Sequence, residues 1–99
     1  MANKVMTVLE ARVPAERWAE LEQGFSQMGS NMPPALAQGF LTQSSADPTL
    51  WRLVAVWHSR EALDEYRASG VTPGGVLLLR SVGADPTMTI FEIKGAQGS

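Results

Sequence analysis

From Leu50 to Trp57 the chain reads LWRLVAVW, eight residues of which only Arg52 is polar. The run is rich in β-branched and aromatic residues and is bounded by turn formers, so it is expected to be a strand. Side chains of a strand point alternately to its two faces. Leu53, Ala55 and Trp57 therefore share one face, and Val54 and Val56 share the other. A strand that is apolar on both sides needs a covering layer on each. A chain of 99 residues makes one domain with one modest core. One short chain supplies one helical layer, so this strand constrains both the architecture and the self-association of the protein.

The flanking sequence supplies the other elements. Val5–Val13 alternates, with Val5, Thr7, Leu9, Ala11 and Val13 on one face and Met6, Val8, Glu10 and Arg12 on the other. Pro14 suits a first helical turn, where its missing N–H costs nothing. Trp18, Leu21, Phe25, Met28 and Met32 then recur at helical spacing until Pro33-Pro34 ends the helix. Gly24 and Gly29 weaken that helix by about 1 kcal/mol each relative to Ala. A weaker strand is expected over 37–44, followed by a turn at Ser45-Ala46-Asp47-Pro48. Ser59 is placed to cap a helix over Arg60–Ala68, with Arg60 and Asp64 one turn apart, Ala62, Leu63 and Tyr66 as its buried stripe, and Gly70 as its stop. Thr72-Pro73 starts a further turn or two through Val76–Val82, which Gly74-Gly75 weakens, and Thr87–Lys94 reads as the last strand. Ala-Asp-Pro-Thr occurs at 46–49 and again at 84–87, and convergent turn chemistry accounts for both copies.

The order β-α-β-β-α-β predicts an α+β protein, a ferredoxin-like split β-α-β sandwich with the helices on one face of an antiparallel sheet. The expected domain is 1–95, with a frayed tail over 96–99. Met6, Val8, Val54, Val56, Met88 and Ile90 form one register-consistent set, and Leu9, Leu53, Trp57, Phe91 and Ile93 form the other. Leaving the first set in water forgoes about 1.5–3 kcal/mol per side chain. A homodimer through the sheet face is the expected solution. Glu10, Arg12, Arg52, Glu92 and Lys94 are expected on that same face, as compensating ion pairs at one end of the interface.

Composition removes several classes of function. The net charge of −2 offers no field for nucleic acid or an anionic membrane surface. The absence of Cys excludes a disulfide framework, a thiolate nucleophile and thiolate metal ligation. No metal-ligand spacing is present, and no apolar run reaches the length of a signal peptide or a membrane span, so a cytoplasmic location is expected.

Four pieces in order, Val8-Leu9-Glu10-Ala11, Gln38-Gly39-Phe40, Asp47-Pro48 and the run VAVWHSREALDEYRAS from Val54 to Ser69, resemble the antibiotic biosynthesis monooxygenase domain. The resemblance spans Val5 to Lys94. Its most specific part is a strand ending in Trp57 followed by S-x-E-A-L-x-x-Y; Gln38 departs from it, where the family often has Pro. The resemblance implies a dimeric α/β barrel and several activities: oxidation of aromatic phenols or anthrones by dioxygen without metal or flavin, degradation of haem, and oxidation of quinol-type substrates. The haem branch has an iron-ligating His on the helical segment that corresponds to 70–82, where this chain has none; its only His is His58. That branch also carries Trp where this chain has Tyr66 and Asn where it has Ala11, so haem degradation is disfavoured. The polyketide-oxidising branch shares Trp57, but its Asn and Tyr fall on Leu53 and Leu63 here, which predicts a greasier pocket.

On the helix side of the sheet, small residues (Thr7, Ala11, Ala55, Thr89) are expected as a floor and Trp18, Phe25, Trp57, Tyr66 and Phe91 as aromatic walls. The substrate-binding set implied is Trp57, Tyr66, Leu53, Phe25, Thr7 and Thr89, with plain core packing as the alternative. No general base is assigned: His58 is expected in solvent or at an interface, and Asn31 at a pocket mouth or capping helix carbonyls. The expected function is a cofactor-independent monooxygenase-like protein acting on a small apolar or aromatic molecule or a quinol. A non-catalytic binding dimer and a cyclase or isomerase on the same fold stay open.

Overall fold

The computed structural model describes residues 3–98, apart from the side chain of Asn31. Ser99 of the expected tail and the role expected of Asn31 lie outside the described residues. The elements are β1 (Val5–Arg12), α1 (Trp18–Met28), β2 (Leu36–Gln43), β3 (Leu50–Trp57), α2 (Arg60–Ala68), α3 (Gly74–Ser81) and β4 (Thr87–Glu92). Single 3-10 turns at Ala15–Arg17 and Gly29–Asn31 bracket α1. The four strands form one antiparallel sheet in the order β2-β3-β1-β4, the α+β ferredoxin-like arrangement, with the helices on one face. The three pairings put β1 and β3 at the centre, where each is hydrogen-bonded on two sides.

β3 and α2 occupy the expected bounds. Ser59 caps α2 as its sequence position implies, its Oγ accepting from the Ala62 N–H at 3.0 Å. The turn between β2 and β3 is held by Asp47. Its carboxylate accepts from the Thr49 hydroxyl at 2.7 Å and the Thr49 N–H at 3.2 Å, and it pairs with the Arg12 guanidinium. The hydrogen bond from Arg12 and the one from Thr49 hold this carboxyl below its ordinary value.

The last strand differs from expectation in phase. Met88 lies opposite Leu9 and Ile90 opposite Thr7, so both face the helices, whereas Thr89 lies opposite Val8 and Phe91 opposite Met6, on the outer face. Ile93 falls beyond the end of β4. Thr89 and Phe91 are thus neither floor nor wall of a helix-side pocket. The segment 88–93 carries large apolar residues at both parities, so its hydrophobic pattern leaves the face undetermined. The charged groups also divide. Glu10 pairs with Arg52 at 3.1 Å, while Glu92 pairs with Lys94 at 3.5 Å at the opposite end of the sheet, across from Val5.

α3 is a full helix despite its leading glycines. A Cβ on Gly75 would stand 2.9 Å from Leu9 Cδ1 and 3.2 Å from Leu53 Cδ2. The absence of a side chain is therefore what lets α3 lie on the sheet. The interior falls into two clusters: Leu9, Val13, Leu21, Trp51, Leu53, Leu79 and Val82 with smaller neighbours under α1 and α3, and Val5, Ala55, Trp57 and Leu63 under α2. Gly75→Val is expected to lower stability by about 2 kcal/mol, since overpacking outweighs the helix propensity gained over Gly. Urea denaturation of both proteins measures the difference, and a variant as stable as the parent would refute the close-approach role.

Candidate functional site

The gap between the two clusters is a cavity of about 810 Å³ on the helix side of the sheet. Its floor is the middle of β1 and β3, where Thr7, Leu9, Leu53 and Ala55 stand beside Gly39 of β2. Phe25 and Met28 of α1, Leu63 and Tyr66 of α2, and Gly75 and Leu78 of α3 close the sides. Met32, Val71, Leu77 and Met88 stand at its edge, each with roughly half its surface exposed, at 45%, 58%, 54% and 43% respectively.

The floor exists because small residues meet there in register. Thr7 lies opposite Ala55 and Ala55 opposite Gly39, so three neighbouring strands present little bulk at one level. Trp57 stands at the end of that floor, 6% exposed. Its indole N–H donates to Thr7 Oγ1 at 3.0 Å across the diagonal of the β1–β3 pair. Tyr66 stacks on it, with ring centroids 5.1 Å apart and planes at 36°. Thr7 is 5% exposed and accepts from Trp57, so its own hydroxyl proton is left to donate into the cavity.

Of the six residues expected to bind a ligand, Trp57, Tyr66, Leu53, Phe25 and Thr7 line this one cavity. Thr89 does not; its place on β4 is taken by Met88. Trp18 and Ala11, expected as wall and floor, lie in the other cluster: the Trp18 indole N–H donates to the Val13 carbonyl at 2.8 Å, and its ring packs 6.1 Å from that of Trp51. His58 is exposed at the junction of β3 and α2 and is not among the lining residues. Tyr66 and Arg67 are the titratable groups of the lining; among the described residues no carboxylate or imidazole faces the cavity. No group of three or more potential metal ligands occurs among the described residues.

A second, smaller hollow of about 290 Å³ lies on the outer face at the β2–β3 hairpin, lined by Thr42, Gln43, Ser44, Ser45, Leu50 and Arg52. Most of its polar groups are already used. Arg52 pairs with Glu10, the Thr42 hydroxyl donates to the Arg52 carbonyl, the Gln43 amide donates to the Pro48 carbonyl, and Ser44 Oγ accepts from the backbone of Ala46 and Asp47. The large cavity is the stronger candidate.

No family model matches the sequence, and no curated protein matches it. Solved structures do. SnoaB of Streptomyces nogalater, a cofactor-independent oxygenase, superposes with a TM-score of 0.70 at 18% identity, covering 99% of this chain and 100% of that one. A Deinococcus radiodurans protein provisionally named an antibiotic biosynthesis monooxygenase gives 0.70 at 17% identity over 96% and 97% of the two chains. The chain has the antibiotic biosynthesis monooxygenase fold. A heme-degrading protein of Mycobacterium tuberculosis, in its heme-free form, shares this fold at a TM-score of 0.73 and 22% identity over the whole of both chains.

Within the antibiotic biosynthesis monooxygenase fold, the sequence signal for the cavity was the juxtaposition of Thr7 and Ala55 with Trp57. The contributions of Gly24, Gly75 and Arg67 were missed. A Cβ on Gly24 would come 2.5 Å from Leu78 Cδ1, so a side chain there, on α1, would displace Leu78 of α3. Only the fold brings those helices together, and no local pattern reports it. Thr7→Val is expected to cost about 1–3 kcal/mol, because it strands the Trp57 N–H in a buried site. Trp57→Phe in the Thr7→Val background should then cost less than it does alone. Thermal denaturation of the four proteins of this cycle measures the coupling, and additive losses would contradict the hydrogen bond.

Proposed function

We propose that this protein is a cofactor-independent oxygenase that binds a small, flat, aromatic or quinol-type molecule in the cavity and positions it for reaction with dioxygen. The observation that carries the proposal is the pairing of an 810 Å³ apolar cavity with a fixed indole: Trp57, held by Thr7 and faced by Tyr66, offers a flat wall to a ring. SnoaB, with the same fold, is a cofactor-independent oxygenase. The lining supplies hydrogen-bond donors from Thr7 and Tyr66 but no carboxylate or imidazole to remove a proton. The substrate must therefore be acidic enough to lose its proton to water.

An anthrone methylene meets that requirement. Its carbanion passes an electron to dioxygen, and recombination of the radicals forms a C–O bond to the peroxide. Protonation to the hydroperoxide and elimination of water then leave a carbonyl, so that CH₂ and O₂ become C=O and H₂O. In this reading the Thr7 and Tyr66 hydroxyls donate to the enolate oxygen, and the apolar walls keep water from the carbanion. The donor set does not suit haem held by an imidazole, since no His lines the cavity. The same shortage of acid–base groups is what favours a second reading, a binding module that sequesters an apolar molecule without changing it.

We place a second copy of the chain on the outer face of the sheet. Met6, Val8, Val54 and Val56 are only half-buried there, and Phe40 and Phe91 are 46% and 48% exposed. A dimer through that face would cover a patch too apolar for water. No helix among the described residues is long and apolar enough to cross a membrane, and a cytoplasmic location goes with this reading.

Oxygen uptake with a panel of anthrones and hydroquinones is expected to show turnover that falls at least about tenfold in Trp57→Ala, from loss of the positioning wall. Binding at micromolar concentration with no uptake would replace the oxygenase by the binding module. Val56→Lys, on the opposite face, should convert the dimer to a monomer in light scattering; a wild-type protein that is already monomeric would remove the dimer.

A further inference from the structure

The charged group in the cavity wall makes no ion pair or side-chain hydrogen bond among the described residues. Arg67 lines the mouth, next in sequence to Tyr66 at the last turn of α2. The other arginine of that helix, Arg60, is engaged with Asp64 at 3.1 Å. None of the ion pairs or side-chain hydrogen bonds among the described residues uses the Arg67 guanidinium. It is also the one charged residue of the lining, which contains no Asp or Glu. Beyond it the chain turns at Gly70, with φ +81°, and runs back along the mouth through Val71 and Thr72.

A lone guanidinium at the entrance of an apolar cavity selects the charge of what enters. The walls are neutral and Asp64, one turn before it on α2, is engaged with Arg60, and a bound ligand would strip water from the inner side of the fork. A carboxylate fits that fork through two parallel hydrogen bonds, which a neutral amide cannot do. The net charge of −2 gives the protein no general attraction for anions, so any such preference has to be local.

We propose that Arg67 is an anion anchor and that the ligand of this cavity is an aromatic acid. Its ring lies against Trp57 and Tyr66, and its ionised carboxylate stays at the mouth on Arg67. This rests on the cavity being the ligand site. It adds the charge of the ligand and the direction in which it lies, with the acid outward and the reactive ring inward over Thr7.

Isothermal titration with 2-anthracenecarboxylate and 2-anthracenecarboxamide at about pH 7, where the acid is ionised, tests it. The wild-type protein is expected to bind the carboxylate about tenfold more tightly, a preference that shrinks as salt is added. Arg67→Gln should bring the carboxylate down to the carboxamide and leave the carboxamide where it was, and Arg67→Lys should keep part of the preference. An arginine that serves only the C-terminal end of α2 would leave the ratio of the two affinities unmoved in Arg67→Gln, and that result overturns the anchor. Equal binding of both probes to the wild type overturns the anchor and leaves the cavity standing. Failure of both probes to bind removes the cavity as ligand site, and the anchor with it.

Discussion

The antiparallel pairing of β1 with β3, Val5 opposite Trp57 through Arg12 opposite Leu50, is the interaction on which the rest of the structure depends. It fixes which residues meet at each level of the sheet. It brings Thr7 diagonally under Trp57, where the indole finds its one hydrogen-bond partner. A slip of one residue would turn one strand over relative to the other, putting Thr7 and Trp57 on opposite faces of the sheet. The apolar character of both faces does not resist that slip. The polar markers do: Arg52 stands across from Glu10 on the outer face, and Thr7 reaches Trp57 on the inner one. An exposed pair such as Glu10–Arg52 contributes little to stability, so the buried hydrogen bond carries more of the registration.

The cavity is a consequence of where bulk is absent. Leu9 and Leu53 are roofed by α3 because Gly75 lets the helix descend, and that closes the larger cluster. One level further along the sheet, Thr7, Ala55 and Gly39 present little side chain. Leu63 and Tyr66 reach the sheet over Val5, Ala55 and Trp57. The empty level between is wide enough for a small ring system and is bounded by side chains already fixed by their roles in folding.

Much of the scaffold was legible in the sequence. β3 announces itself by an apolar run, interrupted only by Arg52, between turn formers. α2 is marked at both ends, by Ser59 whose hydroxyl accepts from Ala62 and by Gly70 at positive φ. Local rules failed where two patterns fitted equally well or where distance in the chain hid a contact. Residues 88–93 are apolar at both parities, so the facing of Met88 and Phe91 was set by pairing with β1 and not by composition. Gly74-Gly75 looked like a helix breaker, and its purpose became visible only with Leu9 and Leu53 beneath it. Five of the six expected site residues share one cavity because they sit on the pleat or stripe that the elements dictate, while Arg67 reads locally as one more charge on a solvated helix.

The division of the interior into two clusters also bears on kinetics. α2 is held to the sheet through the smaller cluster, by Leu63 and Tyr66, while α1 and α3 share the larger one. The helix with the least burial is the first to open in local fluctuations. Since α2 forms one wall of the cavity, its opening would enlarge the entrance. On the proposed reading, the rate at which a small ring system enters and leaves would then follow the opening of this one helix, and a bound molecule, by filling the space between the clusters, would slow its own escape.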